Sequence, residues 1–226
     1  MDHLLPVLVA DEIRHALPGL RVHTMVFEGA RIGVGHAGLD PLRQRLVRRV
    51  DQFCERHGHI ADIPTVRALI GLLADLGQDP YANAPSLLRR GQAMTRRDPF
   101  PVENDAQDAA LLISLYYMVP AFLLDVDQLR PPLVLRPSSD ATIGLTPTAT
   151  THASSALVLS DEEKILRSVQ HEIGRAPVTE LTRSFALVLL DPGVDGGLDP
   201  ERTVQRVDNW ISTLTSAELL KATVSP

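Results

Sequence analysis

Four things are scarce in this sequence, and each scarcity excludes something. Cys54 is the only cysteine, so no intrachain disulfide can form; a reducing compartment suits such a chain, and a cytoplasmic location is the expectation. Aromatic residues make up only 4% of the 226 positions, while 44% are hydrophobic and 22% charged. That balance is ordinary for a globular protein and excludes a disordered one, but the core must be built mainly from aliphatic side chains. Excess positive charge is missing too: the net charge is −6 and the pI near 5.7. No general attraction to phosphate backbones follows, so DNA is not an expected partner and any RNA contact needs a local basic patch. Long apolar runs are the fourth absence. The longest, LLISLYYMVPAFLL, is 14 residues and contains a proline, too short to span a bilayer. The opening MDHLLPVLVADEIRH carries an acid and no lysine or arginine ahead of its apolar run, so a signal peptide is not expected either.

What is present reads as one domain over residues 1–226, with a core from about 11 to 220. Residues 1–17 read as helix up to Pro18-Gly19, and Val22, Thr24 and Val26 then alternate as in a half-buried strand. Leu42, Leu46, Val50 and Phe53 keep helical spacing between Asp40-Pro41 and Gly58; a second helix runs from Pro64 to Leu76, before Gly77, and a shorter one covers PSLLRRGQAM. After residue 115 the runs PLVLR, SALVLS, KILRSV and SFALVLL predict strands. Between the first two, residues 137–155 are rich in serine and threonine and read as a long mobile loop. A last helix is expected from Pro200, capped by Asp199, to about Ala222. Helices first and strands second argue for an α+β fold, a layered β-sheet with packed helices.

Three motifs invite functional readings. GVGHAG, residues 33–38, matches a dinucleotide fingerprint, but Asp40-Pro41 starts the helix after the last glycine, so no helix N-terminus is offered to a pyrophosphate. A flexible glycine turn is the better reading, and no cofactor is expected. Cys54, His57 and His59 have a spacing that could hold a metal with one further ligand; packing at a helix end explains them more simply, and no metal is expected. Basic residues gather on two helices, and Arg45, Arg48, Arg49, Arg89 and Arg90 are the candidates for contacting RNA phosphates, against the alternative of a solvated helix face.

The stretch ENDAQDAALLISL, residues 103–115, carries the sharper signal. In a helix Asn104, Asp108, Leu111 or Leu112, and Leu115 share a face, which puts polar groups where leucines point. Such groups either line a pocket or tie down the helix start, with Asn104 or Asp105 as a cap. The register around it resembles the B3/B4 domain, the tRNA-editing module of the phenylalanyl-tRNA synthetase β subunit, in its free-standing form. Asn104, Asp108, Ser114-Leu115, Val119-Pro120 and Asp125-Val126-Asp127-Gln128-Leu129 fall in the family's order without a gap. PGLRVHTMVFEGARI, LGQDPYANAPSLLRRG, LVLRPS and VTELTRSFALVLL are similar to its flanking segments, and the last of these places Thr179 and Thr182. The sequence departs from the family at Leu111, at Phe122 where the synthetase module has a histidine, and at Ala141-Thr142.

The resemblance implies a pocket that receives an amino acid or the aminoacyl end of a tRNA. Asn104, Asp108, Ser114, Phe122, Asp125 and Thr182 would bind the ligand, with His171 and Glu172 as an acid/base pair if misacylated tRNA is hydrolysed in trans. The alternative is a non-catalytic amino-acid-binding module acting with a partner enzyme. The loss of the family's histidine favours that alternative as much as the hydrolase, since an apolar Phe122 can neither donate to an oxyanion nor order a water.

Overall fold

Strand β7 (Phe185–Asp191) explains the architecture, because all seven of its residues are buried. Side chains alternate across a strand, so burial throughout means that both faces are covered. Phe185, Leu187 and Leu189 belong to one hydrophobic core, Ala186, Val188 and Leu190 to another. The computed structural model describes residues 5–79, 84–100, 102–138, 156–170 and 175–226.

The fold is α+β, in three layers. The middle layer is an antiparallel sheet in the order β3 (Ala121–Asp125), β7, β2 (Arg21–Glu28), β8 (Glu218–Ser225). On one face lie α2 (Leu39–His57), α4 (Ser86–Thr95), α5 (Asp105–Tyr117) and α6 (Pro200–Thr215). Against the other packs a second sheet, β1 (Val7–Val9), β4 (Leu133–Ser138), β5 (Ala156–Ser160) and β6 (Ile165–Ser168), with β1 parallel to β4 and the rest antiparallel. Helix α1 (Asp11–Ala16) places Ile13 in the inter-sheet core, and α3 (Pro64–Asp75) contributes Val66 and Leu69 to one core and Leu72 and Leu73 to the other. Phe27 and Phe185 stack at 5.3 Å on the helical face.

Local chemistry sets the element ends as the punctuation predicts. Gly58 ends α2 at φ 87°, Pro64 opens α3, and the Asp199 carboxylate accepts from the Arg202 N–H at 3.0 Å to cap α6. The glycine segment 33–38 lies between β2 and α2, whose N-cap is Gly38.

Three expectations need correction, and one strand lies where none is predicted. The first 17 residues are not one helix: Val7 and Val9 alternate inward against β4, and only Asp11–Ala16 is helical. The last helix stops at Thr215, where Ser216 takes a left-handed conformation at φ 56°, and residues 218–225 form β8, whose exposure alternates. The unpredicted strand is β3: Met118 at φ 54° divides the apolar run LLISLYYMVPAFLL into the end of α5 and this strand. The helix over 103–115 is expected to pack beside both PLVLR and SFALVLL; α5 does share a core with β7, the run SFALVLL, but PLVLR, as β4, belongs to the outer sheet and the other core. The Ser/Thr-rich segment lies, from residue 139 to 155, outside the described residues.

Candidate functional site

The first turn of α5 concentrates polar groups because three other segments are tied to it. Asn104 is the N-cap: its side-chain oxygen accepts from the Gln107 N–H at 3.0 Å and its amide donates to the Val178 carbonyl at 3.0 Å. Gln107 donates to the same carbonyl at 2.8 Å. Asp105 accepts from the His36 N–H at 2.8 Å, while its own N–H donates to the Gly33 carbonyl at 2.9 Å. The glycine segment is therefore moored to α5, and a Cβ at Gly33 would press on the Asp105 carboxylate at 3.0 Å. Asp108 accepts from the Glu103 N–H at 3.1 Å and pairs with Arg43 of α2 at 3.0 Å. Asp108 is 2% exposed, and burial pushes its carboxyl pKa up, although the Glu103 N–H and Arg43 pull the other way. An isolated buried charge would be untenable, and Arg43 supplies the compensation.

Beside this turn lies a cleft of about 440 Å³. One wall is Glu103, just before α5, followed by Gln107, Leu111 and Ser114 of that helix; Ser86, Leu87 and Arg90 of α4 stand on another side. The floor is the edge strand β3 with Pro120, Ala121, Phe122 and Leu123, closed off by Arg167 and Ser168 of β6. Of the residues expected to bind ligand, Asp108, Ser114 and Phe122 line this cleft. Ser114 is already engaged, donating to the Val119 carbonyl at 2.6 Å. Phe122 belongs to the inter-sheet core and reaches the cleft because β3 is an edge strand.

The structure brings Asp125 and Thr182 together elsewhere. The Thr182 hydroxyl donates to the Asp125 carboxylate at 2.9 Å and accepts from the Thr179 N–H at 3.0 Å; Asp125 also accepts from the Asp127 N–H at 3.1 Å and Gln128 at 2.9 Å. These bonds join the end of β3 to the turn before β7. His171 and Glu172 lie outside the described residues.

The five candidate arginines divide. Arg45 and Arg48 are exposed on α2. Arg49 donates from Nε to the Tyr116 carbonyl at 2.7 Å, with its guanidinium 4.1 Å from the Tyr116 ring and 4.8 Å from Phe53. Burial pushes the Arg49 pKa down, which marks a side chain used for packing. Arg89 donates to the carbonyls of Ala84 at 2.5 Å and Gln170 at 2.8 Å. Arg90 is at the cleft.

Cys54 and His59 line a larger groove of about 780 Å³, in which Arg97 and Asp51 also stand and pair at 3.0 Å. Burial, with Asp51 nearby, raises the Cys54 thiol pKa, so the thiolate that binds metals is disfavoured. No group of three or more possible metal ligands occurs among the described residues, and none of their helices is long and apolar enough to cross a membrane.

Sequence reasoning missed Arg167, and it missed Glu103 and Gln107, which border the cleft beside the expected Asp108 and Ser114. Glu103, Gln107, Leu111 and Ser114 follow helical spacing as well as Asn104, Asp108 and Leu115 do. The amphipathic signal alone could not choose between two adjacent stripes on a helix buried over most of its surface.

No family model and no curated protein matches the chain. Among solved structures, a crystal structure of an N-terminal fragment of the phenylalanyl-tRNA synthetase β-subunit from Pyrococcus horikoshii is similar, with a TM-score of 0.42 and 12% identity. The match covers 98% of this chain and 54% of that one, so this chain spans about half the length of its structural neighbour.

Proposed function

We propose that the cleft beside α5 recognises an amino acid, or the aminoacyl group of an aminoacyl-tRNA. The observation that carries this reading is the chemistry of the walls: Glu103, just before α5, and Arg167 on β6 are of opposite charge, and Leu87, Leu111 and Phe122 are apolar. An α-amino acid with an aliphatic or aromatic side chain needs these three elements in one small concavity. The register of Asn104, Asp108, Ser114 and Asp125, similar to that of an amino-acid-reading module, supports the same class of ligand.

Binding without hydrolysis is the better-supported form. Asp108, Ser114, Asp125 and Thr182 hold backbone or one another, which leaves them poorly placed to activate a water. Hydrolysis of misacylated tRNA would then depend on His171 and Glu172, and RNA contact on Arg45, Arg48 and Arg90. The experiment is a thermal-shift and calorimetric panel of apolar amino acids and an aminoacyl-adenosine analogue, on the wild type and Glu103→Gln. Glu103 is exposed, so the substitution should leave the free protein folded while weakening any ligand with an ammonium group. Failure of every compound to stabilise the wild type refutes the reading. A parallel deacylation assay on mischarged tRNAs, with His171→Ala, decides the catalytic alternative: rapid, His171-dependent release makes the protein an editing enzyme.

A further inference from the structure

The amino-acid reading of the cleft leaves open whether the ligand's carboxyl group is free or esterified, and two independent features bear on that. The first is Arg167. Its guanidinium donates to the Leu123 carbonyl at 2.8 Å and, more weakly, to the Arg175 carbonyl at 3.4 Å. Among the described residues no carboxylate lies within ion-pairing distance of it, and Glu103 acts on it only from across the cleft. Burial pushes the Arg167 pKa down. A guanidinium does not give up its proton in a protein, so its charge remains and calls for an anion.

The second feature is the unpaired edge of β3. The Leu190 N–H donates to the Pro120 carbonyl at 3.0 Å, and the register pairs Ala121 with Leu189 and Leu123 with Leu187. Hydrogen-bonded and non-hydrogen-bonded pairs alternate in an antiparallel ladder, so the N–H and C=O groups of Ala121, Leu123 and Asp125 point away from β7. The bonds from Arg167 to the Leu123 carbonyl and from the Asp125 N–H to the Ala176 carbonyl, 3.1 Å, fit that phase. The Leu123 N–H points to the same side and has no partner among the described residues. It is a buried donor beside an uncompensated cation, on the floor of the cleft. Buried N–H groups are seldom left without an acceptor.

We infer that the cleft takes a ligand with a free carboxylate, held by the Arg167 guanidinium and the Leu123 N–H, with its ammonium toward Glu103 and its side chain toward Leu87, Leu111 and Phe122. The opposed charge of Glu103 selects a zwitterion over a simple anion, and the strand edge receives the ligand's main-chain end. An ester, including that of an aminoacyl-tRNA, loses the negative charge that Arg167 meets. The inference rests on the amino-acid reading above and narrows it to the unesterified acid.

Calorimetry on the full chain tests it with L-leucine, L-methionine and L-phenylalanine, their methyl esters, and sodium phosphate, on wild type and Arg167→Gln. Hydrogen bonds to charged groups lead us to expect each free acid to bind the wild type about 10- to 100-fold more tightly than its ester. Arg167→Gln should bring the acid down to the affinity of the ester and leave the ester unchanged. Wild-type acid and ester of equal affinity overturn the inference while sparing the amino-acid reading. Binding of phosphate as tightly as the amino acids overturns it as well, by making the site a general anion site. If neither acids nor esters bind, both readings fall together. Should Arg167→Gln not fold, the comparison of acid with ester on the wild type decides alone; should it weaken acid and ester equally, Arg167 only shapes the cleft and the inference is wrong.

Discussion

Asp191, at the end of β7, should govern how this protein responds to acid. Its buried carboxylate accepts from Arg21 at 2.7 and 3.2 Å, from His23 at 3.4 Å, and from the Gly193 and Leu198 N–H groups at 3.0 and 2.8 Å. Burial alone would raise its pKa, but these donors outweigh burial and bring it from 3.8 to about 2. A folded-state value below the unfolded one means that the unfolded chain binds the proton more readily. The contribution to stability is therefore fully present above the unfolded value and is lost as pH falls through the folded one. At about 1.4 kcal/mol per unit of pKa, the contribution at neutral pH is roughly 2.5 kcal/mol. Asp191→Asn removes the charge and leaves Arg21 with no carboxylate, so at pH 7 it should cost about 3 kcal/mol in urea unfolding. Repeated from pH 6 down to pH 2, the gap between wild type and variant should narrow by about 2 kcal/mol. A gap that stays constant across that range would show that Asp191 titrates alike in folded and unfolded chains, and would refute the network as its cause.

Three further outcomes can be checked by the same unfolding assay. Gly197→Ala, at φ 71° and against the Arg21 guanidinium, should displace Arg21 from Asp191, cost about 1–3 kcal/mol and flatten the acid response of that variant as well; a variant with unchanged acid response would place the Arg21 contact outside the network. Asp108→Ala should lower stability by about 3–5 kcal/mol, because Arg43 loses its buried partner, and a loss under 1 kcal/mol would mean that the pair is not formed in solution. Asn104→Ala removes the α5 cap and one donor to Val178, with an expected cost of about 1–2 kcal/mol; no cost would contradict the cap.

The elements legible in the sequence are those with local signals at both ends. Helices α2, α3 and α6 carry a proline or aspartate at the start, and Gly58 and Gly77 lie just beyond the first two. Strands β5 and β7 are unbroken apolar runs, and full burial is the physical reason they do not alternate. The strands that escaped, β1, β3 and β8, are short or adjoin a helix, and their pairing with β4, β7 and β2 is a nonlocal fact. Asn104 and Asp108 were legible as unusual, but their employment was not: their partners Val178 and Arg43 are 74 and 65 residues away. Arg167 was invisible because an arginine inside ILRS looks like any strand's solvent-facing residue until β6 is seen to border the cleft.

The placement of the cleft follows from how the two edges of the central sheet are treated. An open edge offers unpaired N–H and C=O groups to any other strand, and proteins blunt such edges with charge or cover. At one edge, β8 exposes alternate residues and includes Lys221 and polar Thr223 and Ser225. At the other, β3 is short and buried except at Ala121. Its outward-facing backbone is met by the Arg167 guanidinium at Leu123 and by the Ala176 carbonyl at Asp125, with α5 and α4 standing over it. Between those two contacts and the helices remains a segment of strand edge enclosed by side chains of both charges. The same cover that protects β3 from another sheet leaves one donor and one cation without a mate, and a ligand's main-chain end is small enough to supply it.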